Sequence, residues 1–236
     1  PTAHYSMGGI KVTPDDHFTG VDGLYAAGEV TGGLHGANRL GGNSLAEILI
    51  FGKRAGLNAA KYSLNLTVQY RSKKVIANAH DDINSLIKSG NNVVRPLQRD
   101  LRNIMWQYCG VVRSEDNLKK GLQKIYDLKE LVSTLDVRPD SEGYEDLMLA
   151  YDFIGSLMSA EATVLCALKR KESRGAHQRL DFKTIKTSQN VNYNVRLTSA
   201  KKLSVSKKPL ATMSNKLSSI IKKTKVIQNF SGKLIE

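Results

Sequence analysis

The segment that most constrains the fold is Gly36-Ala37-Asn38-Arg39-Leu40-Gly41-Gly42-Asn43-Ser44-Leu45, a glycine-rich turn that delivers the chain straight into a helix. The glycines allow backbone conformations and close approaches denied to other residues. Asn43 or Ser44 is expected to cap a helix that continues through Ile48, Leu49, Phe51 and Ala55. The first amides of a helix lack intrahelical partners and carry partial positive charge, which suits an anion or an electron-rich heteroatom. Arg39 adds a permanent cation whose planar fork matches a carboxylate. An ordinary strand–loop–helix connection uses the same residue types, and the turn by itself leaves both readings open.

Around this turn the pattern divides in three. Residues 1–72 read as an α/β segment: 9–13 alternates like a strand, and 24–27 is a short apolar run, expected as a buried strand, that ends at Gly28-Glu29. Small residues along the following helix (Ala46, Gly52, Ala55, Gly56, Ala59 and Ala60) suit close packing on a sheet. Residues 73–182 take helical periodicity and predict an all-α three-helix bundle. One helix carries Leu97, Leu101, Ile104 and Met105, with Pro96 near its start. Ser114 caps a second, with Glu115 and Asp116 in its first turn and Leu118, Leu122 and Ile125 along one face. A third, longer helix carries Leu147, Tyr151, Ile154, Met158, Leu165 and Leu168. Residues 183–236 show no clear amphipathic period and read as a basic C-terminal tail.

The chain of 236 residues has a formal net charge of +13, much of it in that tail. Aromatic residues there are few, so no stacking platform for single-stranded nucleic acid is expected, and no nucleic-acid-binding motif appears. No Gly-x-Gly-x-x-Gly follows a strand, which excludes a Rossmann-type pyrophosphate site from these residues. The five histidines are scattered, with no metal-ligand spacing. Cys109 and Cys166 lie in apolar helical surroundings and read as buried free thiols in a reducing compartment. No run of about 18 apolar residues predicts a membrane span. Residues 1–5 carry neither an initiator Met nor a signal peptide, and the chain reads as incomplete at that end.

Two further side chains suit a polar ligand. His4, ahead of Met7-Gly8-Gly9, can donate to a carboxylate, and Glu29 can accept from ribityl or ribose hydroxyls. His17 and His35 read as structural. His4-Tyr5-Ser6-Met7-Gly8-Gly9, Leu24-Tyr25-Ala26-Ala27-Gly28-Glu29-Val30, the 35–45 turn and Glu172-Ser173-Arg174-Gly175-Ala176-His177-Gln178-Arg179-Leu180-Asp181-Phe182 occur in that order. Together they resemble the second half of the flavoprotein subunit of succinate dehydrogenase and fumarate reductase, a superfamily that includes L-aspartate oxidase.

The resemblance implies that residues 1–72 complete an FAD-binding domain, with the end of a cap region at 1–9. It implies His4 and Arg39 as the two carboxylate-binding residues. Gly28, Glu29, Asn43, Ser44 and Leu45 fall to the FAD, Ser44 and Leu45 through their backbone at the isoalloxazine ring. The implied reaction is hydride exchange between flavin and the C–C bond of succinate or fumarate, in electron transport and the tricarboxylic acid cycle. The proton-transfer arginine and the pyrophosphate loop are expected upstream of residue 1, leaving no catalytic residue to assign here and no activity for the chain alone.

Expected partners are a dicarboxylate, an N-terminal FAD-binding half on the same or a separate chain, and an iron–sulfur electron-transfer subunit. The expected location is cytoplasmic, with peripheral attachment to the inner face of a membrane as the alternative. Lys183 stands where the family usually has proline, and the tryptophan often found downstream is missing. Thr31-Gly32-Gly33-Leu34 resembles soluble fumarate reductases. An L-aspartate oxidase and a non-catalytic subunit completing a flavoprotein in trans are the competing readings.

Overall fold

A computed structural model describes residues 4–68, 72–139 and 143–223. The first part is sparse in regular structure. Strand β1 (Ile10–Lys11) pairs in parallel with β2 (Thr31–Gly32), and helix α1 (Asn43–Leu64) follows. The strand expected over 9–13 is thus shorter than its alternation suggested. The run at 24–27 is not a strand: Phe18 and Tyr25 form one isolated bridge, and Leu24 is exposed. Gly23 and Gly28, both at positive φ, bracket it and leave too few extended residues for a ladder. Helix α1 keeps only Glu47 and Ala55 buried and leaves Leu45, Leu49 and Ile50 exposed.

Helix α2 (Lys73–Leu86) is capped by Ser72 and buries no residue. The core belongs to the next three helices. After β3 (Asn92–Val93) come α3 (Val94–Cys109), β4 (Val112–Arg113), α4 (Glu115–Glu130), β5 (Leu135–Asp136) and α5 (Glu145–Lys169). Helices α3, α4 and α5 pack mutually. Leu97 and Leu101 of α3 meet Leu118 and Ile125 of α4, and Ile104 and Met105 pack on the edge of this cluster. Ser114 caps α4 as its sequence predicts, accepting from Asn117 N at 3.3 Å. The Asp181 carboxylate accepts from Glu115 N beside it at 2.9 Å.

In α5 the buried stripe is Ala150, Phe153, Leu157, Ala160, Val164 and Ala167. Tyr151 and Met158, expected on the core face, are exposed. The helix is apolar around most of its girth, so large side chains alone misassign its inner face. By length and composition it is also the one helix among the described residues able to cross a membrane, although no apolar run predicted a span. Its inner face is occupied by α3 and α4, and its buried Glu161 pairs with Lys129 at 2.6 Å.

The segment read as a basic C-terminal tail, whose structure its sequence left open, carries regular elements among its described residues. After β6 (Gln178–Arg179), strands β7 (Val191–Leu197) and β8 (Leu203–Pro209) form an antiparallel hairpin, and α6 (Asn215–Lys223) follows. Val191, Tyr193 and Val195 alternate with Asn192 and Asn194 at the period of a strand. The hairpin is tied to the end of α5: the Tyr193 hydroxyl donates to the Lys169 carbonyl at 2.9 Å, and Arg170 donates to Val191 O at 2.7 Å while lying over the Tyr193 ring. Lys225, Phe230 and Lys233 of the expected tail lie outside the described residues, as do residues 1–3.

Glu172 holds the junction between α5 and the hairpin. It is fully buried and accepts from Arg170, from two nitrogens of Arg174 and from Lys186 N, all at 2.8–3.0 Å. Burial pushes its carboxyl up, but these donors outweigh that and hold it below the usual carboxylate range. Glu172→Gln keeps the shape and removes the charge. It is expected to destabilise the domain by about 2–3 kcal/mol, measured as a shift of the urea midpoint.

Candidate functional site

The turn before α1 is built differently from its expected cap. Neither Asn43 nor Ser44 caps the helix; the N-cap position is Gly42, at φ 82, and no side chain accepts from the first amides. A left-handed residue here favours glycine. The space that a Cβ would fill at Gly41 or Gly42 is open within 4 Å. The start of α1 thus carries no side-chain cap, Asn43 N and Leu45 N donating to the Leu40 and Gly42 carbonyls at 3.3 Å, and Leu45 is exposed beside it.

Arg39, two residues before Gly41, folds back over the Tyr5 ring, its guanidinium carbon 4.4 Å from the ring centroid. One terminal nitrogen donates to the Leu40 carbonyl at 3.2 Å. Among the described residues, Arg39 Nε is the one buried side-chain nitrogen or oxygen without a hydrogen-bond partner. An orphaned donor on a charged group costs about 1–3 kcal/mol, so this nitrogen suits an incoming acceptor.

Beneath Arg39 lies a network that the residues alone did not reveal. The Tyr5 hydroxyl donates to Glu47 Oε2 at 2.5 Å, and His35 Nε2 meets the same oxygen at 2.8 Å. The Thr31 hydroxyl donates to the Gly28 carbonyl at 2.8 Å and sits 3.5 Å from Glu47 Oε1. Burial pushes the Glu47 carboxyl up, but hydrogen bonds from Tyr5 and His35 outweigh it and keep the group below the usual carboxylate range. The bond to Glu47 raises the Tyr5 phenol to about 12. Glu29 is exposed, and its Oε1 accepts from Ser6 N at 2.8 Å, which pins the segment carrying His4 and Tyr5. The His4 side chain is itself exposed. The structure thus gathers Tyr5, Thr31 and His35 around the Glu47 carboxylate, with Arg39 over the Tyr5 ring and the Gly28 carbonyl accepting from Thr31. Gly41, Gly42 and Leu45 remain on the open side of the turn.

A loop of the helical domain reaches this turn. Ala176 N donates to the Ala37 carbonyl at 2.9 Å, and a Cβ at Gly175 would lie 2.2 Å from that same oxygen. Behind the loop, Arg113 donates to His177 Nδ1 at 2.9 Å, and His177 Nε2 donates to the Arg170 carbonyl at 3.0 Å. Burial, with Arg113 and Arg179 nearby, pushes His177 down from 6.5 to about 4. Its folded value lies below its unfolded one, so as pH falls the unfolded chain takes up the proton first. Stability is therefore complete above pH 6.5 and declines toward pH 4. Thermal melting from pH 7 to 4 should show this loss, and His177→Asn should flatten the slope over that window. Asp181, held low by its bidentate bonds to Arg179, titrates below it.

A groove of about 170 Å³ between α4, α5 and the hairpin, lined by Ile154, Met158, Leu197 and Leu203, is smaller than ligand pockets of roughly 300–1,000 Å³. Burial raises the thiols of Cys109 and Cys166, which makes both poor nucleophiles. The bare start of α1 and the open glycines fit an electron-rich ring edge, and Arg39 fits an anion beside it.

The turn and the helical region behind it are the two parts on which the comparisons with known proteins fall. A family model described as fumarate reductase flavoprotein C-term matches residues 98–224, and one described as FAD binding domain matches residues 1–45. The chain belongs to the family of succinate dehydrogenase and fumarate reductase flavoprotein subunits and corresponds to their C-terminal portion.

An uncharacterized FAD-dependent oxidoreductase of Methanocaldococcus jannaschii is 42% identical over 183 residues, covering 77% of this chain and 33% of that protein. The fumarate reductase flavoprotein subunit of a Serratia species is 39% identical over 187 residues, covering 77% and 31%. An L-aspartate oxidase of Acinetobacter baylyi is 35% identical over 188 residues, covering 77% and 32%. Among solved structures, Mycobacterium smegmatis Sdh1 superposes with a TM-score of 0.84 at 30% identity, covering 94% of this chain and 38% of that one. The chain spans about a third of the length of the curated relatives it matches.

Proposed function

We propose that the full protein is an FAD-dependent oxidoreductase interconverting succinate and fumarate, and that this chain supplies one wall of its active site. The observation that carries this is Arg39, placed over the Tyr5 ring with a buried Nε lacking an acceptor, just ahead of a helix start that no side chain caps. In this reading Arg39 grips one carboxylate bidentately and His4 donates to the other. Holding both ends fixes the central C–C bond against the face where the flavin supplies its two-electron, hydride-accepting chemistry. Gly28, Glu29, Asn43, Ser44 and Leu45 would hold that cofactor, the last three through the backbone at the start of α1. The proton-transfer arginine, the pyrophosphate loop and an iron–sulfur partner belong to the proposed remainder of the assembly, placed in the cytoplasm or on the inner face of a membrane.

The relative among L-aspartate oxidases favours a second reading, in which the substrate is aspartate. Steady-state assays of the FAD-loaded full-length protein separate the two. Turnover of succinate or fumarate, with little on aspartate, is the expected result. Fast aspartate oxidation with peroxide release would move the assignment to the second reading.

A further inference from the structure

We propose that Glu47 and Tyr5 form a positioning pair for the substrate clamp: Glu47 anchors the Tyr5 phenol, and the Tyr5 ring sets the plane of the Arg39 guanidinium. This rests on the reading of Arg39 as the dicarboxylate-binding residue. Glu47 lies in the first turns of α1 with its side chain 1% exposed, a costly place for a carboxylate unless its bonds perform a task. It draws Tyr5 and His35 onto one oxygen, from segments 42 and 12 residues away. Tyr5 then has two distinct ends: its hydroxyl is committed to Glu47, and its ring face carries Arg39.

Arg39 has little else to orient it. Its hydrogen bond is to the neighbouring Leu40 carbonyl, and its Nε is buried with no partner. The guanidinium plane, and hence the direction of its carboxylate-binding edge, depends on the ring beneath it. A purely structural role would leave Glu47 tying loop to helix with no effect that passes through Arg39.

The test measures malonate binding by equilibrium dialysis on the flavin-loaded full-length protein, with flavin content and melting temperature recorded for each variant. Tyr5→Leu is expected to weaken malonate binding about tenfold, the scale of a lost cation–π platform, and Tyr5→Phe, which keeps the ring, less. Glu47→Gln is expected to weaken it about threefold by loosening the anchor. In an Arg39→Gln background these same substitutions should change binding by less than about twofold, because the effect passes through Arg39. Equal losses in both backgrounds, or no loss in the parent, would overturn the proposal while leaving the clamp intact. Unchanged malonate binding in Arg39→Gln alone would remove the clamp reading, and this inference with it. Should Glu47→Gln fail to fold, the Tyr5 pair decides: equal affinity of Tyr5→Phe and Tyr5→Leu overturns the platform role.

Discussion

Replacing Arg39 with alanine in the full-length flavoprotein is expected to lower kcat/KM for the dicarboxylate by about 3–5 kcal/mol, roughly 100- to 5,000-fold. The magnitude follows from its surroundings. The guanidinium is half-buried on Tyr5, so the carboxylate it meets is drawn away from water and would be left without its charged partner. Arg39→Lys should recover little of the loss, since a point charge reproduces neither the guanidinium's packing over the ring nor two parallel hydrogen bonds to a carboxylate. Steady-state kinetics on succinate and fumarate, set beside flavin content, separate this from a folding defect. Kinetics unchanged in Arg39→Ala would remove the residue from the site.

Gly175→Ala is expected to be nearly as damaging, although the position lies in the helical domain and carries no chemistry. Gly175 sits at φ 56, where a Cβ is strained, and that Cβ would lie 2.2 Å from the Ala37 carbonyl oxygen. That carbonyl also accepts from Ala176 N, so the obstacle is backbone on both sides and cannot turn away as a flexible side chain would. Strain and overlap together should cost roughly 3–5 kcal/mol of stability. Relief by moving Ala37 would shift Arg39 two residues on, so surviving protein should bind malonate more weakly as well. A melting curve and a malonate isotherm are the checks; both unchanged would contradict the clasp between the two regions.

Periodicity made the helical core readable and left the site only half visible. Leu97, Leu101, Leu118 and Ile125 recur at helical spacing because each helix buries a single stripe, and all four are buried. In α5 that logic fails at Tyr151 and Met158, where apolar residues cover more than one face. The β7–β8 hairpin had a legible period in Val191, Tyr193 and Val195, masked by the surrounding lysines. Arg39 stood out because a fixed cation beside glycines is chemically conspicuous. Glu47 did not: within α1 it reads as one polar residue among apolar ones, and its partners Tyr5 and His35 are distant in sequence. A network assembled from three segments has no local period to betray it. The cap of α1 departs from its sequence for a related reason: Asn43 and Ser44 have capping side chains, but Gly42 takes the left-handed position one residue earlier.

The most direct test of the clamp is a crystal structure of the FAD-loaded full-length protein with malonate bound. One malonate carboxylate is expected on Arg39, within about 3 Å of Nε and a terminal nitrogen. The other carboxylate should lie on His4, with the guanidinium still over the Tyr5 ring. Malonate bound elsewhere, with Arg39 Nε bonded instead to a protein acceptor from another part of the chain, would contradict it.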